Sequence, residues 1–263
     1  MKLLLFTGDH YRHFYFADKI SELGLDVSWI IQKREAINPI IKNTNKNLSK
    51  LLKLHFNKRE EAELNFFKKN AGEKAKKNIN NIIYIKENDI QNSHLFSILK
   101  KNFKSEILLS YGPSKIIPEK ILNLFKLYKW NVHGGLSPWY RGTATLFWPT
   151  YLLEPEYTGI TLHEMSNYPD AGNIIHQTNL KIKANDGIHD NACRAVKEFS
   201  DIVGPLVVSN LNQKKKLKGI PQNEFGRNWT SKMWNPFTLE VIYDFYGDRV
   251  NKYCLENKNI IYP

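Results

Sequence analysis

Only two cysteines, Cys193 and Cys254, occur in the chain, and neither sits in a CxxC or Cys/His metal spacing. The pattern calls for neither a disulfide framework nor a zinc site, and it fits a reducing, cytoplasmic setting. No continuous apolar run approaches the roughly 18 residues of a membrane span, so none is expected. The opening MKLLLFTGDH has one Lys and a short apolar run that stops at Thr7-Gly8-Asp9, too brief for the core of a signal peptide. No internal repeat and no long Pro/Gly/Ser linker breaks the chain, which excludes a solenoid. What is present is 42% apolar residues and 13% aromatics, the composition of a globular protein with a sizeable core.

The formal net charge of +12 suggests nucleic acid until it is located. Residues 42 to 86 hold twelve Lys/Arg against four Glu and so carry eight of those charges. That stretch is also rich in Asn and Leu. It reads as a solvated basic helical insertion at about 40–80 before it reads as an RNA groove, although a basic patch serves either use.

The apolar run KLLLF (2 to 6) predicts a strand, YRHFYFADKISELG a helix closed by Gly24, and DVSWIIQK a second strand. Beyond the insertion, NIIYIK, a helix at 93 to 103, EILLSYG (106 to 112) and a helix after Pro118 continue the alternation to WNVHG. The fold expected is α/β: a Rossmann-like, mostly parallel open sheet with helices on both faces. TGITLHEM and NIIHQTNLKI predict two further strands around the loop SNYPDAG. Residues 187 to 213 read as one long helix that Pro205 should kink or split. The division expected is a catalytic domain at 1–186 and a small C-terminal helical and aromatic accessory region at 187–263.

The stretch WNVHGGLSPWYRGTATLFWP (130 to 149) stands out. On a strand, Asn131 and His133 point to one face, and the pair supplies a neutral base and an amide N–H donor. Gly134 and Gly135 then remove two side chains where open α/β sheets place their ligands, so a flat substrate could come close. Asp170, in NYPDAGNI, is a carboxylate that could fix an imidazole, although before Ala-Gly it is also a turn former. His10, His13, His55, His94, His163, His176 and His189 read as surface or structural by default, and of these His163 and His176, on the flanking strands, are the first candidates to line the cleft.

These residues carry a family resemblance. NVHGGLSPWYRGTATLFW resembles the signature of the folate-dependent formyltransferases, in which Asn-x-His precedes a Leu-x-Pro-x-Tyr-Arg-Gly loop. TGITLHEMSNYPDAGNIIHQ is similar to that family's second motif, and LLSYGPSKIIPEKIL to its strand ending in Tyr-Gly before a Pro-bearing helix. The resemblance implies N10-formyltetrahydrofolate as donor, a primary amine as acceptor, and no metal. It implies His133 as base, Asn131 as oxyanion donor, and Asp170 as the group that orients His133. Tyr111, Gly112, Gly135, Leu136, Met165 and Tyr168 are then the expected donor contacts. Two departures, Gly135 with Ser137 and the run Thr143-Ala144-Thr145, lie in the loop and bear on fit to donor or acceptor.

Three acceptors are open. A tRNA-formylating relative carries a longer C-terminal barrel, and glycinamide ribonucleotide enzymes usually lack a Tyr-Arg-Gly like Tyr140-Arg141-Gly142. The loop resembles most the nucleotide-sugar N-formyltransferases of the perosamine type, which implies an amino sugar such as GDP-perosamine, for surface polysaccharide, and not nucleic acid. Arg141, Trp139, Tyr140, Gly8, His10, Trp229 and Lys232 are the expected acceptor contacts, with Arg227, Trp234, Tyr243 and Tyr246 as further tail candidates. The same tail aromatics could simply pack the tail down, or form the face of a homodimer. A methionyl-tRNA formyltransferase and a non-catalytic ligand-binding relative are the alternatives.

Overall fold

The computed structural model describes residues 1–33, 46–166, 168–211, 218–223 and 226–257. Strand β1 (Lys2–Gly8) is buried at every position but the first. A parallel strand covered on both faces reads as an unbroken apolar run, and β1 divides its residues accordingly. Leu3 and Leu5 enter one core with Phe16, Ala17 and Ile20 of α1 (Tyr11–Ser21), whereas Leu4 and Phe6 enter a second core on the opposite face. Next come β2 (Asp26–Lys33), α2 (Lys46–Phe67), α3 (Glu73–Asn78), β3 (Asn81–Lys86), α4 (Ser93–Asn102), β4 (Ile107–Tyr111), α5 (Glu119–Leu122) and β5 (Tyr128–His133). The five strands are parallel in the order β3-β2-β1-β4-β5.

After β5 the chain makes the short β6 (Tyr140–Gly142) and α6 (Trp148–Tyr151). It then returns as β7 (Gly159–Glu164) and β8 (Ile174–Asn179), which extend the sheet antiparallel to seven strands. The mostly parallel sheet with helices on both faces is therefore as expected. Strand order reverses between β1 and β4, and the carboxyl ends of such strands are where open α/β sheets place their ligands.

Helix α7 (Ile188–Leu211) is one continuous helix with Pro205 inside it. Pro205 is exposed, as is Asp201 four residues earlier, so the carbonyl that loses its intrahelical donor lies on the solvent side. The division at residue 187 falls at the start of α7, yet Cys193, Val196, Phe199, Val203 and Val207 lie in the same core as Leu3 and Leu5.

The expectation of a solvated basic insertion is corrected for α2, while its residues 40–45 lie outside the described ones. Leu48, Leu51, Leu52 and His55 fall at helical spacing and are buried, as are Ala62, Glu63 and Phe67. Glu63 is paired with Arg12 of α1. The N-terminal half of α2 joins Tyr140, Phe147, Trp148 and Ile188 in a third core. The C-terminal elements complete that core: β9 (Arg227–Trp229), α8 (Thr238–Glu240), the following turn at Ile242 and Tyr243, and α9 (Val250–Glu256). β9 pairs in parallel with β6, so the tail extends the loop that follows β5. Lysines at 46, 50 and 53 stay on the exposed side of α2. Among the described residues no helix is long and apolar enough to cross a membrane.

Candidate active site

The two faces of the sheet differ in character at β4, β5, β7 and β8. Leu109, Tyr128, Trp130, Val132, Ile160 and Leu162 keep the first face apolar, under α1 and α7. The opposite face presents Ser110, Asn131 and His163 in one register row and His133, Thr161 and Gln177 in the next. The loop of residues 134–158 covers these polar rows where a helix would otherwise lie. Alternation thus sets Asn131 and His133 side by side at the carboxyl end of β5.

Asp170 comes to them from the loop between β7 and β8. Its Oδ2 lies 3.3 Å from His133 Nδ1, and its Oδ1 lies 3.5 Å from Asn131 Nδ2 and 3.4 Å from His163 Nε2. The residue sits in the left-handed region at φ 51°, which Asp tolerates better than most side chains. Backbone contacts hold it there: Gly142 N–H donates to Oδ2 at 3.0 Å, and Gln222 Nε2 donates to its carbonyl at 2.9 Å. The three predicted side chains therefore converge.

Hydrogen-bond partners assign the roles of their atoms. Ser110 Oγ donates to Asn131 Oδ1 at 2.6 Å, which turns the amide N–H groups toward Asp170 and His163. His133 Nε2 lies 2.7 Å from the carbonyl oxygen of Tyr140. Carbonyl and carboxylate both only accept, so the shorter contact, 2.7 Å against 3.3 Å, takes the single proton of the neutral ring and leaves Nδ1 as the basic nitrogen. When Nδ1 takes a proton, the imidazolium finds acceptors already in place on both sides, the Asp170 carboxylate and the Tyr140 carbonyl. His163 Nδ1 lies 2.8 Å from the Glu164 carbonyl oxygen, and its Nε2 lies 3.3 Å from Asn131 Nδ2 and 3.4 Å from Asp170 Oδ1.

Burial pushes the His133 imidazole below its ordinary value, against the opposing pull of Asp170 and the Tyr140 carbonyl. Burial also works to raise the Asp170 carboxyl, but His133, His163 and the Gly142 N–H outweigh it and hold it at about 2. The carboxylate is thus ionised and the imidazole neutral near pH 7, the pairing a general base requires.

Gly135 has a different reason than the close approach of a flat substrate. A Cβ there would lie 2.8 Å from His133 Nε2 and closer still to the Tyr140 carbonyl oxygen, so the glycine makes room for that hydrogen bond. Gly8 and Gly112 likewise flank the buried His13 ring: a Cβ would meet its Nδ1 at 2.6 Å and its Nε2 at 2.5 Å. Tyr111 is core, edge-on to His13 and Phe16. Met165 packs against the second core, Leu136 is buried beside Gly159, and Tyr168 is exposed.

Among the expected acceptor contacts, Trp229 is buried, stacked on Trp148 at 4.3 Å and parallel to Tyr140 at 6.1 Å, so it packs the tail onto β6, and it also lines a cavity with Trp139, Tyr140 and Arg227. Trp234 and Tyr243 also belong to that core. Arg141 braces the loop by donating to the Gly226 carbonyl at 3.2 Å. Trp139 and Lys232 are exposed, and His10 is half-buried at the start of α1. Tyr140 donates its hydroxyl to Glu154 at 2.7 Å. Unforeseen were Ser110, Gln222, Thr161 and the backbone groups of Tyr140 and Gly142; of these only Ser110, level with Asn131 on the neighbouring strand, left a readable signal.

Comparison with known proteins places this geometry. Residues 44–208 match the family model described as Formyl transferase. A methionyl-tRNA formyltransferase from Nostoc sp. is 37% identical over 127 residues, which are 48% of this chain and 35% of that protein. The chain thus spans about a third of the length of that curated relative. A solved N-formyltransferase from Helicobacter canadensis, in complex with folinic acid and dTDP-3-aminofucose, superposes with a TM-score of 0.56 at 19% identity, over 89% of this chain and 73% of that one. PseJ from Anoxybacillus kamchatkensis, in complex with UDP-4,6-dideoxy-4-formamido-L-AltNAc and tetrahydrofolate, gives 0.51 at 18% identity, over 96% and 97%. At these identities the two structures share the fold. The matched segment runs from α2 through Asn131, His133 and Asp170 into α7, and with it the chain belongs to the formyl transferase family.

Proposed function

We propose that the protein moves the formyl group of N10-formyltetrahydrofolate to the primary amine of a nucleotide-linked amino sugar, of which GDP-perosamine is an example. The observation that carries this reading is the His133–Asp170 contact beside an amide whose N–H groups are aimed by Ser110. The acceptor nitrogen forms a bond to the formyl carbon while the bond from that carbon to N10 of the folate breaks. His133 Nδ1 takes the proton the amine loses and returns it to the departing nitrogen. Asn131 N–H faces the oxygen on which negative charge builds, in exchange for its long contact to Asp170. Asp170 keeps the imidazolium paired throughout.

The solved neighbours support the acceptor, since two of them hold a folate together with a nucleotide-linked sugar. The catalytic unit takes in α7 and the C-terminal elements, because they complete two of its cores. A second reading, transfer to an aminoacylated initiator tRNA, is favoured by the Nostoc relative and by the exposed lysines of α2 and α3. A panel of GDP-, UDP- and dTDP-linked amino sugars, assayed with formyltetrahydrofolate by mass spectrometry, separates the two. Gain of one formyl group on an amino sugar is expected, and modification of charged tRNA alone would replace the first reading with the second.

A further inference from the structure

The polar sheet face carries a hollow beyond the Asn131–His133–Asp170 cluster. A cavity of about 430 Å³ is lined by Leu136, Glu156, Tyr157, Gln177 and Asn179. Register places it: His133 pairs with Thr161 and Thr161 with Gln177, so the three side chains stand in one row. With strands about 4.8 Å apart, the backbone of Gln177 lies about 10 Å from that of His133. Gln177 is fixed by its Nε2, which donates to the Ser137 carbonyl at 2.7 Å and to Thr161 Oγ1 at 3.0 Å.

Glu156 is the unusual wall of this cavity. Its Oε2 is buried and has no hydrogen-bond partner among the described residues. A buried acceptor left unmade is costly, and a carboxylate can be satisfied only by a donor. The donor that fits is a hydroxyl or an ammonium group; a phosphate in the same space would be repelled. Leu136 and Tyr157 add apolar surface for the C–H faces of a ring, while Gln177 and Asn179 add amide groups. Tyr157 also borders a neighbouring cavity of about 300 Å³ that contains Trp139, Glu154 and Arg227. There Glu154 already accepts the Tyr140 hydroxyl, and the Arg227 guanidinium lies over the Trp229 ring at 4.8 Å.

We propose that the cavity walled by Glu156, Tyr157 and Gln177 holds the sugar ring of the acceptor, with Glu156 receiving a hydroxyl or ammonium proton and so selecting which amino sugar is formylated. The assignment rests on the function proposed above and adds to it a specificity-determining residue. Steady-state kinetics of the full chain, Glu156→Gln and Glu156→Ala, with the best amino-sugar nucleotide of the panel, tests it. Both variants are expected to raise the acceptor KM by about tenfold or more while the KM for formyltetrahydrofolate stays within about twofold. Glu156→Gln, nearly the same shape without the charge, should melt no lower than the parent, because Oε2 has no hydrogen bond to lose among the described residues. An acceptor KM within about twofold of the parent in both variants overturns the assignment and leaves the function standing. A parent that formylates only charged tRNA removes the function and the sugar pocket together.

Discussion

The carbonyl oxygen of Tyr140 sits 2.7 Å from His133 Nε2, across a space that only a glycine at 135 leaves open. This contact decides which imidazole nitrogen is basic. Gly135→Ala should push the carbonyl away and release the ring. A fall in kcat of about tenfold or more, with a near-native circular dichroism spectrum, is expected. Unchanged kcat would mean that the tautomer is set elsewhere.

The acid–base pair makes a sharper claim. His133→Ala and Asp170→Ala should each lower formyl transfer by about 10²–10⁴-fold, the usual worth of a positioned base. Single-turnover rates with saturating donor and acceptor are the measurement, and substantial turnover in either variant refutes the roles of base and orienting carboxylate.

The pH profile follows from the same pair. The base must be neutral, and burial holds His133 below the ordinary imidazole value of about 6.5. The rate plateau should therefore extend to the acid side of that value and fall only as the depressed group protonates. Asp170 favours the charged imidazole, so Asp170→Asn should shift the acid limb of its residual activity to still lower pH. A shift toward higher pH contradicts this electrostatic account.

A second buried titrating group governs stability. His55 Nδ1 lies 2.8 Å from the Tyr243 hydroxyl and 3.2 Å from His189 Nε2, where α2, α7 and the tail meet. Burial, chiefly, pushes His55 down to about 3 and His189 well below its ordinary value. In the unfolded chain both protonate near pH 6.5, so the unfolded state binds more protons below that point and stability falls with falling pH. Each histidine contributes a slope of up to about 1.4 kcal/mol per pH unit, for His55 from about 6.5 down to about 3. Melting temperature measured from neutral to mildly acidic pH should drop, and less so in His55→Gln. Equal slopes would show that the cluster does not titrate on unfolding.

Packing of the tail can be tested away from the chemistry. Leu52, 1% exposed on α2, contacts the C-terminal core, and Leu52→Ala should cost about 2–5 kcal/mol in urea unfolding. A loss below about 1 kcal/mol would mean that α2 is a loosely held surface helix.

Much of the fold was legible in the sequence where one residue's type and its neighbours' spacing agree. The parallel strands announce themselves as apolar runs, and Asn131 with His133 declares a shared face through simple alternation. Asp170 stood out as a carboxylate that could fix an imidazole, but only the family resemblance tied it to His133, because no spacing rule joins a loop residue to a strand thirty-odd positions earlier. Helix α2 misled because its lysines outnumber the leucines at 48, 51 and 52, and charge density hid a regular buried stripe. Trp229 stands out as an aromatic near Arg and Lys, but its stacking on Trp148 and its place parallel to Tyr140 come from chain segments eighty or more positions away, which no local pattern joins. The Tyr140 carbonyl is a backbone atom, and composition is silent about those.

Among the described residues strand β6 takes its partner strand from β9, far along the chain, and β6 carries the carbonyl that sets the His133 proton. A grafted ending that altered residues 227–229 would accordingly reach further than acceptor choice. It would retune the proton inventory of the reaction itself, so chimaeras between relatives should be chosen by whether that three-residue splice survives.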